Sequence, residues 1–250
     1  MVTNVGVLFD LEDTLIRTPW SNPQYLFEFR RRTREKLVAL GVPRTLLDGI
    51  KRATIMRNKA SDYIEQNVSK AKAENFRREM EEFLSYYETY SAKKSKLFID
   101  TIPTLDRLKG LGTRMGLITN TSAKAVDSVF TIHNLKEYFD VVVTRENVRR
   151  LKPDPEGVLF ALKQLGLSHF IMVGDLVLDM LAAKRAKGIS VLVRRGHEQS
   201  SLQDLFGGLP EEVTEEIERT SRKTSNLCAD YTVQSLAEVP TIVQIEENKI

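Results

Sequence analysis

Two patterns of apolar spacing divide the chain. Short unbroken apolar runs recur at Val5–Phe9, Arg114–Thr119, Val141–Thr144, Phe170–Val173 and Ser190–Val193. Runs of this length without polar alternation predict strands buried on both faces, as in a parallel sheet. Between them lie stretches of helical period, Ala123–Asn134, Pro155–Leu165 and Val177–Lys187, the last two closed by Gly166 and Gly188. Strand and helix in alternation predict an α/β fold, a doubly wound parallel sheet with right-handed crossovers.

Residues 19–96 break the alternation, because no strand pattern interrupts their helical period. Helices are predicted over Pro23–Leu40, Arg44–Lys59 and most of Ser61–Tyr90. Phe76, Met80, Phe83, Leu84 and Tyr87 form one apolar stripe on the last of these. The stripe is read as the core of a small helical bundle. The expected organisation is a core domain of residues 1–18 and 97–250, with a helical cap domain of residues 19–96 inserted into it. The polar segment from His197 to Asn226, with a short helix expected near Pro210–Glu218, is read as a surface insertion.

Several predicted strands end in residues able to do chemistry. Val5–Phe9 delivers Asp10, followed by Glu12 and Asp13. Met115–Ile118 delivers Thr119 and Asn120, and Ile171–Val173 delivers Gly174 and Asp175, with Asp179 four residues on. Lys152 lies in a loop bounded by Pro153 and Pro155. In open α/β sheets, ligands bind beyond the carboxyl ends of the strands. The inventory is a carboxylate able to attack, acids able to hold a metal, and hydroxyl, amide and ammonium groups able to hold an anion. Magnesium favours carboxylates together with substrate phosphate oxygens, and lysine is a common point-charge partner for phosphate. The set points to metal-assisted phosphoryl transfer through a covalent aspartyl intermediate.

Composition narrows the setting. The 250 residues are 42% hydrophobic, enough for a sizeable core, and carry 37 basic against 34 acidic residues. That balance does not call for nucleic acid or a membrane surface. Residues 24–60 hold ten basic and three acidic residues, a basic lid able to attract an anion, although most of these side chains are read as a solvated helix face. The single cysteine, Cys228, excludes an internal disulfide, and His133, His169 and His197 lack the spacing of a zinc site. No run approaches bilayer length and no secretory leader is expected, so a cytoplasmic protein is predicted. No feature of the sequence sets an oligomeric state.

In order along the chain, Asp10-Leu11-Glu12-Asp13-Thr14, Thr119-Asn120, Lys152-Pro153-Asp154-Pro155 and Gly174-Asp175 with Asp179 resemble the four motifs of the haloacid dehalogenase superfamily. Ala229–Leu236 resembles that family's closing strand and helix. The resemblance implies a phosphatase-like hydrolase with a helical cap acting on a small phosphorylated metabolite. It implies Asp10 as nucleophile and Glu12 as general acid, then base. Thr119, Asn120 and Lys152 become the phosphate contacts. Mg2+ is implied at Asp10, at the Glu12 carbonyl and at Asp175. Three roles are open to Asp179: a ligand, an orienter of one, or an acid at a helix N-terminus.

Two residues depart from the family pattern, Glu12 for its second aspartate and Asp13 for a glycine. They bear on rate more than on reaction class. Dehalogenase and phosphonate hydrolase chemistry are disfavoured because those enzymes lack the acid that Glu12 supplies. A sugar phosphomutase, and a catalytically weak protein using the fold for interaction, stay open.

Overall fold

The computed structural model describes residues 3–19, 22–195, 211–224 and 229–250. Six parallel strands form the central sheet: β1 (Val5–Phe9), β4 (Met115–Ile118), β5 (Val141–Val143), β6 (His169–Gly174), β7 (Ile189–Val193) and β8 (Tyr231–Val233). They lie in the order β5-β4-β1-β6-β7-β8. β1 is central, pairing Phe9 with Leu117 on one side and with Val173 on the other. All five of its residues are buried, which is why its sequence is apolar without alternation. Val5, Val7 and Phe9 pack to one face and Leu8 to the other. The first face meets α4 (Thr101–Gly110), α5 (Ala123–His133) and α9 (Val239–Glu247), and the second meets α6 (Glu156–Leu165) and α7 (Val177–Arg185).

The strand order turns at β1, with β4 on one side and β6 on the other, and their carboxyl ends open a crevice together. Asp10, Thr119 and Asp175 follow these three neighbouring strands directly. Each predicted strand is present within a few residues of its predicted ends.

The inserted segment is helical: α1 (Pro23–Ala39), α2 (Ala53–Asn67) and α3 (Lys70–Lys93). α1 begins at Asn22, whose side chain accepts the Gln24 and Tyr25 N–H groups. The chain enters and leaves the segment through an antiparallel pair, β2 (Ile16–Arg17) and β3 (Lys96–Leu97). Phe76, Met80 and Leu84 are buried as the stripe predicts, while Phe83 and Tyr87 are half-buried. One expectation fails. Arg44–Lys59 is not a single helix, because Arg44–Leu47 makes one short helical turn and α2 starts only at Ala53. Gly49 between them has φ +75°, a backbone that stops a right-handed helix. Leu47 and Ile50 stay buried across the break, so the apolar spacing hides it.

The late polar segment contains α8 (Glu211–Thr224), which extends past the expected helix end at Glu218. The remainder of that segment, with His197 and Cys228, lies outside the described residues. Among the described residues no helix is long and apolar enough to cross a membrane.

Candidate active site

A cavity of about 290 Å3 lies between the carboxyl ends of the central strands and the inserted helices. Asp10, Glu12, Asn120, Lys152, Asp175 and Asp179 line it together, although they come from four separate segments.

Asp10 is seated by sheet geometry. Its N–H donates to the Val173 carbonyl at 2.9 Å, extending the β1–β6 ladder one residue past the strand. Lys152 Nζ lies 2.6 Å from Asp10 Oδ1, 2.6 Å from Asp179 Oδ1 and 2.9 Å from the Ile118 carbonyl. All three side chains are buried. Burial raises the Asp10 pKa to about 6, with Lys152 opposing the rise. Burial pulls the Lys152 pKa down, but Asp10 and Asp179 more than offset it, so Lys152 stays charged.

Asp10, Asp175 and Asp179 bring carboxylate oxygens within 4.8 Å of one another. Burial, then the charges of Asp10, Asp179 and Asp13, push the Asp175 pKa well above the usual carboxylate range. Acids held this close repel one another unless a cation joins them. The donors are hard oxygens, which fits Mg2+ rather than a softer metal.

Asp179 is held from behind. Its Oδ2 accepts the Leu176 N–H at 3.0 Å at the start of α7. A Cβ at Gly174 would stand 2.4 Å from that oxygen, so only glycine lets the strand pass the carboxylate. This supports an orienting role for Asp179 at a helix N-terminus, and its Oδ1 faces the site through Lys152.

The departures from the family pattern have local answers. Asp13 takes φ +56°, the left-handed region that glycine favours and that Asp tolerates. Its Oδ1 accepts the Thr18 N–H at 3.2 Å. Glu12 Oε2 accepts a hydrogen bond from Thr121 Oγ1 at 2.7 Å, which holds the longer side chain toward the cavity.

Thr119 and Asn120 are placed less directly. Thr119 is buried at the end of β4, where its Oγ1 accepts the Thr121 N–H at 3.2 Å; Asn120 and Thr121 form the cavity wall there. The Asn120 side chain accepts the Lys152 N–H at 3.0 Å and donates to the Lys152 carbonyl at 3.4 Å. It positions the lysine loop.

Sequence reasoning missed Thr14, Thr121 and Arg145. Thr14 Oγ1 lies 3.4 Å from both Asp10 Oδ2 and Asp175 Oδ1. Arg145 follows β5 and is 2% exposed. Its guanidinium grips Glu81 and Glu88 of α3 and donates to the Asn120 carbonyl at 3.3 Å, tying the inserted helices to the site loop. The usable signal was position, since every one of these residues lies within a few residues of a strand's carboxyl end or the Asp10 loop.

A family model described as haloacid dehalogenase-like hydrolase matches residues 7–193, and one described as HAD-hydrolase-like matches residues 150–239. A pyrophosphatase, PpaX, of Bacillus velezensis is 36% identical over 112 residues, 42% of this chain and 52% of that protein. A phosphoglycolate phosphatase of Nitrosococcus oceani is 26% identical over 202 residues, 76% of this chain and 84% of that one. The chain thus spans about half the length of the first relative and most of the second. Among solved structures, a haloacid dehalogenase-like hydrolase from Bacteroides fragilis aligns with TM-score 0.58 at 22% identity, covering 96% of this chain and 100% of that one. A phosphonoacetaldehyde hydrolase-like protein from Oleispira antarctica aligns with TM-score 0.64 at 15% identity, covering 100% and 95%. At these identities the structural likeness is one of fold.

Proposed function

The chain belongs to the haloacid dehalogenase-like hydrolase family, and on that premise we propose that it is a Mg2+-dependent phosphatase that hydrolyses a small phosphate monoester through an aspartyl phosphate on Asp10. The observation that carries this reading is the buried Asp10 carboxylate, fixed 2.6 Å from Lys152 Nζ beside Asp175 and Asp179. The phosphoglycolate phosphatase and pyrophosphatase relatives support transfer from a phosphate ester or anhydride. Residues 19–96 are assigned as the cap domain that closes over the substrate and excludes water.

Asp10, Asp175 and the Glu12 backbone carbonyl would hold the metal, with Asp179 behind them. Bound there, Mg2+ neutralises charge on the transferring phosphoryl group. Asp10 attacks phosphorus through one carboxylate oxygen. Lys152 Nζ and Thr119 Oγ1 hold phosphoryl oxygens, and Asn120 keeps Lys152 in place. Glu12, steadied by Thr121, gives its proton to the leaving alkoxide. As a carboxylate it then takes a proton from the water that opens the aspartyl phosphate. Asp10 is regenerated and inorganic phosphate leaves.

The test is phosphate release from p-nitrophenyl phosphate by chelated protein, with metals added back. Mg2+ should restore turnover and Ca2+ should not, because its larger, looser oxygen shell would engage both Asp10 oxygens. Asp10→Asn should be inactive while keeping the wild-type thermal transition. Full activity in excess chelator, or turnover by Asp10→Asn, would contradict the proposal.

A further inference from the structure

The loop that carries Lys152 is held from two directions. Glu156 at the start of α6 accepts the Arg149 N–H at 2.9 Å and the Arg150 N–H at 3.0 Å. Asn120 accepts the Lys152 N–H at 3.0 Å. These acceptors follow or precede core strands. The N–H between them, that of Leu151, is answered from the inserted helices. Asn58 of α2 accepts it at 3.1 Å, and the Asn58 amide donates to the Leu151 carbonyl at 3.0 Å.

One side-chain amide thus closes a ring of two hydrogen bonds on the residue before Lys152. Leu151 is buried, so its N–H needs a partner within the protein. Its carbonyl has a second donor in the Asp154 N–H at 3.0 Å. Asn58 stands behind the cavity wall, which Arg57, Leu151 and Lys152 form at that point. Two more side chains of α2 reach the same loop: Asp62 pairs with Arg150 and Glu65 with Arg149, at 2.9 Å each. Both arginines are mostly in water, and such pairs contribute little. The part-buried Asn58 ring is the directional contact. Lys152 Nζ lies 2.6 Å from Asp10 Oδ1, and its reach follows from where the backbone of Leu151 and Lys152 sits. A displacement of about 1 Å at such a site costs roughly 100-fold in rate.

We propose that Asn58 is a positioning residue that couples the seating of the inserted helices to the reach of Lys152. With α2 down on the core, the Leu151 backbone is paired and Lys152 Nζ meets Asp10. With α2 lifted, the Leu151 N–H loses its acceptor and the loop relaxes. The site is then complete only in the closed form, where water is excluded. This rests on the phosphatase reading above and adds a control of that same site.

The experiment compares wild type, Asn58→Leu, Asn58→Asp and the double variant Asp62→Asn/Glu65→Gln, with p-nitrophenyl phosphate and Mg2+. Asn58→Leu keeps the volume and loses both hydrogen bonds. It should lower kcat roughly 10–100-fold while KM changes about twofold at most, with the thermal transition checked in parallel. Asn58→Asp keeps an acceptor for the Leu151 N–H, and the Asp154 N–H still serves the carbonyl, so it should recover much of kcat. The Asp62/Glu65 double variant should stay within about twofold of wild type. Hydrogen exchange read by mass spectrometry follows the loop without turnover: in Asn58→Leu the peptide holding Leu151 and Lys152 should exchange about tenfold faster, while β1 and β6 do not change. A wild-type kcat in Asn58→Leu would overturn the inference. So would unchanged exchange at Leu151, or an Asn58→Asp variant no faster than Asn58→Leu. Faster exchange in Asn58→Leu beside a wild type that releases no phosphate would overturn the phosphatase reading and keep the link between α2 and the lysine loop.

Discussion

Arg145→Met tests whether the link between α3 and the site loop is held by one buried cation. Met keeps most of the apolar stem and removes the guanidinium. The Arg145 side chain is 2% exposed; of its two partners, Glu81 is 36% exposed and Glu88 is 8% exposed. Glu81 can turn to water when its partner goes. Glu88 cannot, and keeps only the Ser122 N–H at 3.0 Å. Removing one partner of a buried ion pair costs about 3–5 kcal/mol because the other charge is left stranded. For a chain of this size that is a fall in Tm of roughly 6–20 °C. The assay is thermal unfolding at neutral pH, beside urea unfolding to read the free energy. The double variant Arg145→Met/Glu88→Gln removes the stranded charge and should recover most of the loss, giving a clear coupling term. A loss below about 1 kcal/mol in the single variant, or a double variant no more stable than the single, would refute the reasoning.

Two further outcomes follow from the same contacts. Thr121→Val removes the 2.7 Å hydrogen bond to Glu12 and should lower kcat roughly tenfold on an alkyl ester, with Thr121→Ser near wild type; a wild-type rate for Thr121→Val would mean that Glu12 does not depend on it. Acid should weaken the fold. For Glu81, burial acts upward but Arg145 holds the pKa down at about 2 against an ordinary 4.5, and Asp100 is likewise lowered by Arg195 and Ser235 against its own burial. A depressed folded pKa gives stability that is complete above the unfolded value and is lost as pH falls through the folded one. The urea midpoint should therefore drop from about pH 4.5 toward pH 2, and a midpoint that held or rose over that range would show these pairs to be idle.

The core was legible because its signals are local. Each strand is a short apolar run that stops at a polar residue, and Asp10, Thr119 and Asp175 follow β1, β4 and β6 directly. Parallel pairing then brings those ends together without further information. The inserted helices were less legible. Gly49 turns the chain between Leu47 and Ile50, yet both stay buried, so the helical period runs on through a break. Glu88 was invisible as a site-supporting residue because it prolongs the apolar stripe of α3 at a buried position where its partner, Arg145, is 57 residues away. Asn120 was legible as a site residue, but its attachment to Lys152 across 32 residues was not. Pairings of this kind are set by tertiary contact, and nothing in the local spacing of either partner announces them.

The central claim is that Asp10 is the nucleophile. Glu12→Gln should slow opening of the aspartyl phosphate more than its formation from an aryl phosphate, because a good leaving group needs little protonation while the attacking water needs a base. The decisive measurement is peptide mass spectrometry on Glu12→Gln quenched during turnover of p-nitrophenyl phosphate with Mg2+. The account predicts a phosphoryl group on Asp10, absent from the Asp10→Asn/Glu12→Gln double variant. Phosphate release at an unchanged rate with no modified Asp10, or a phosphoryl group found on another residue, would contradict it.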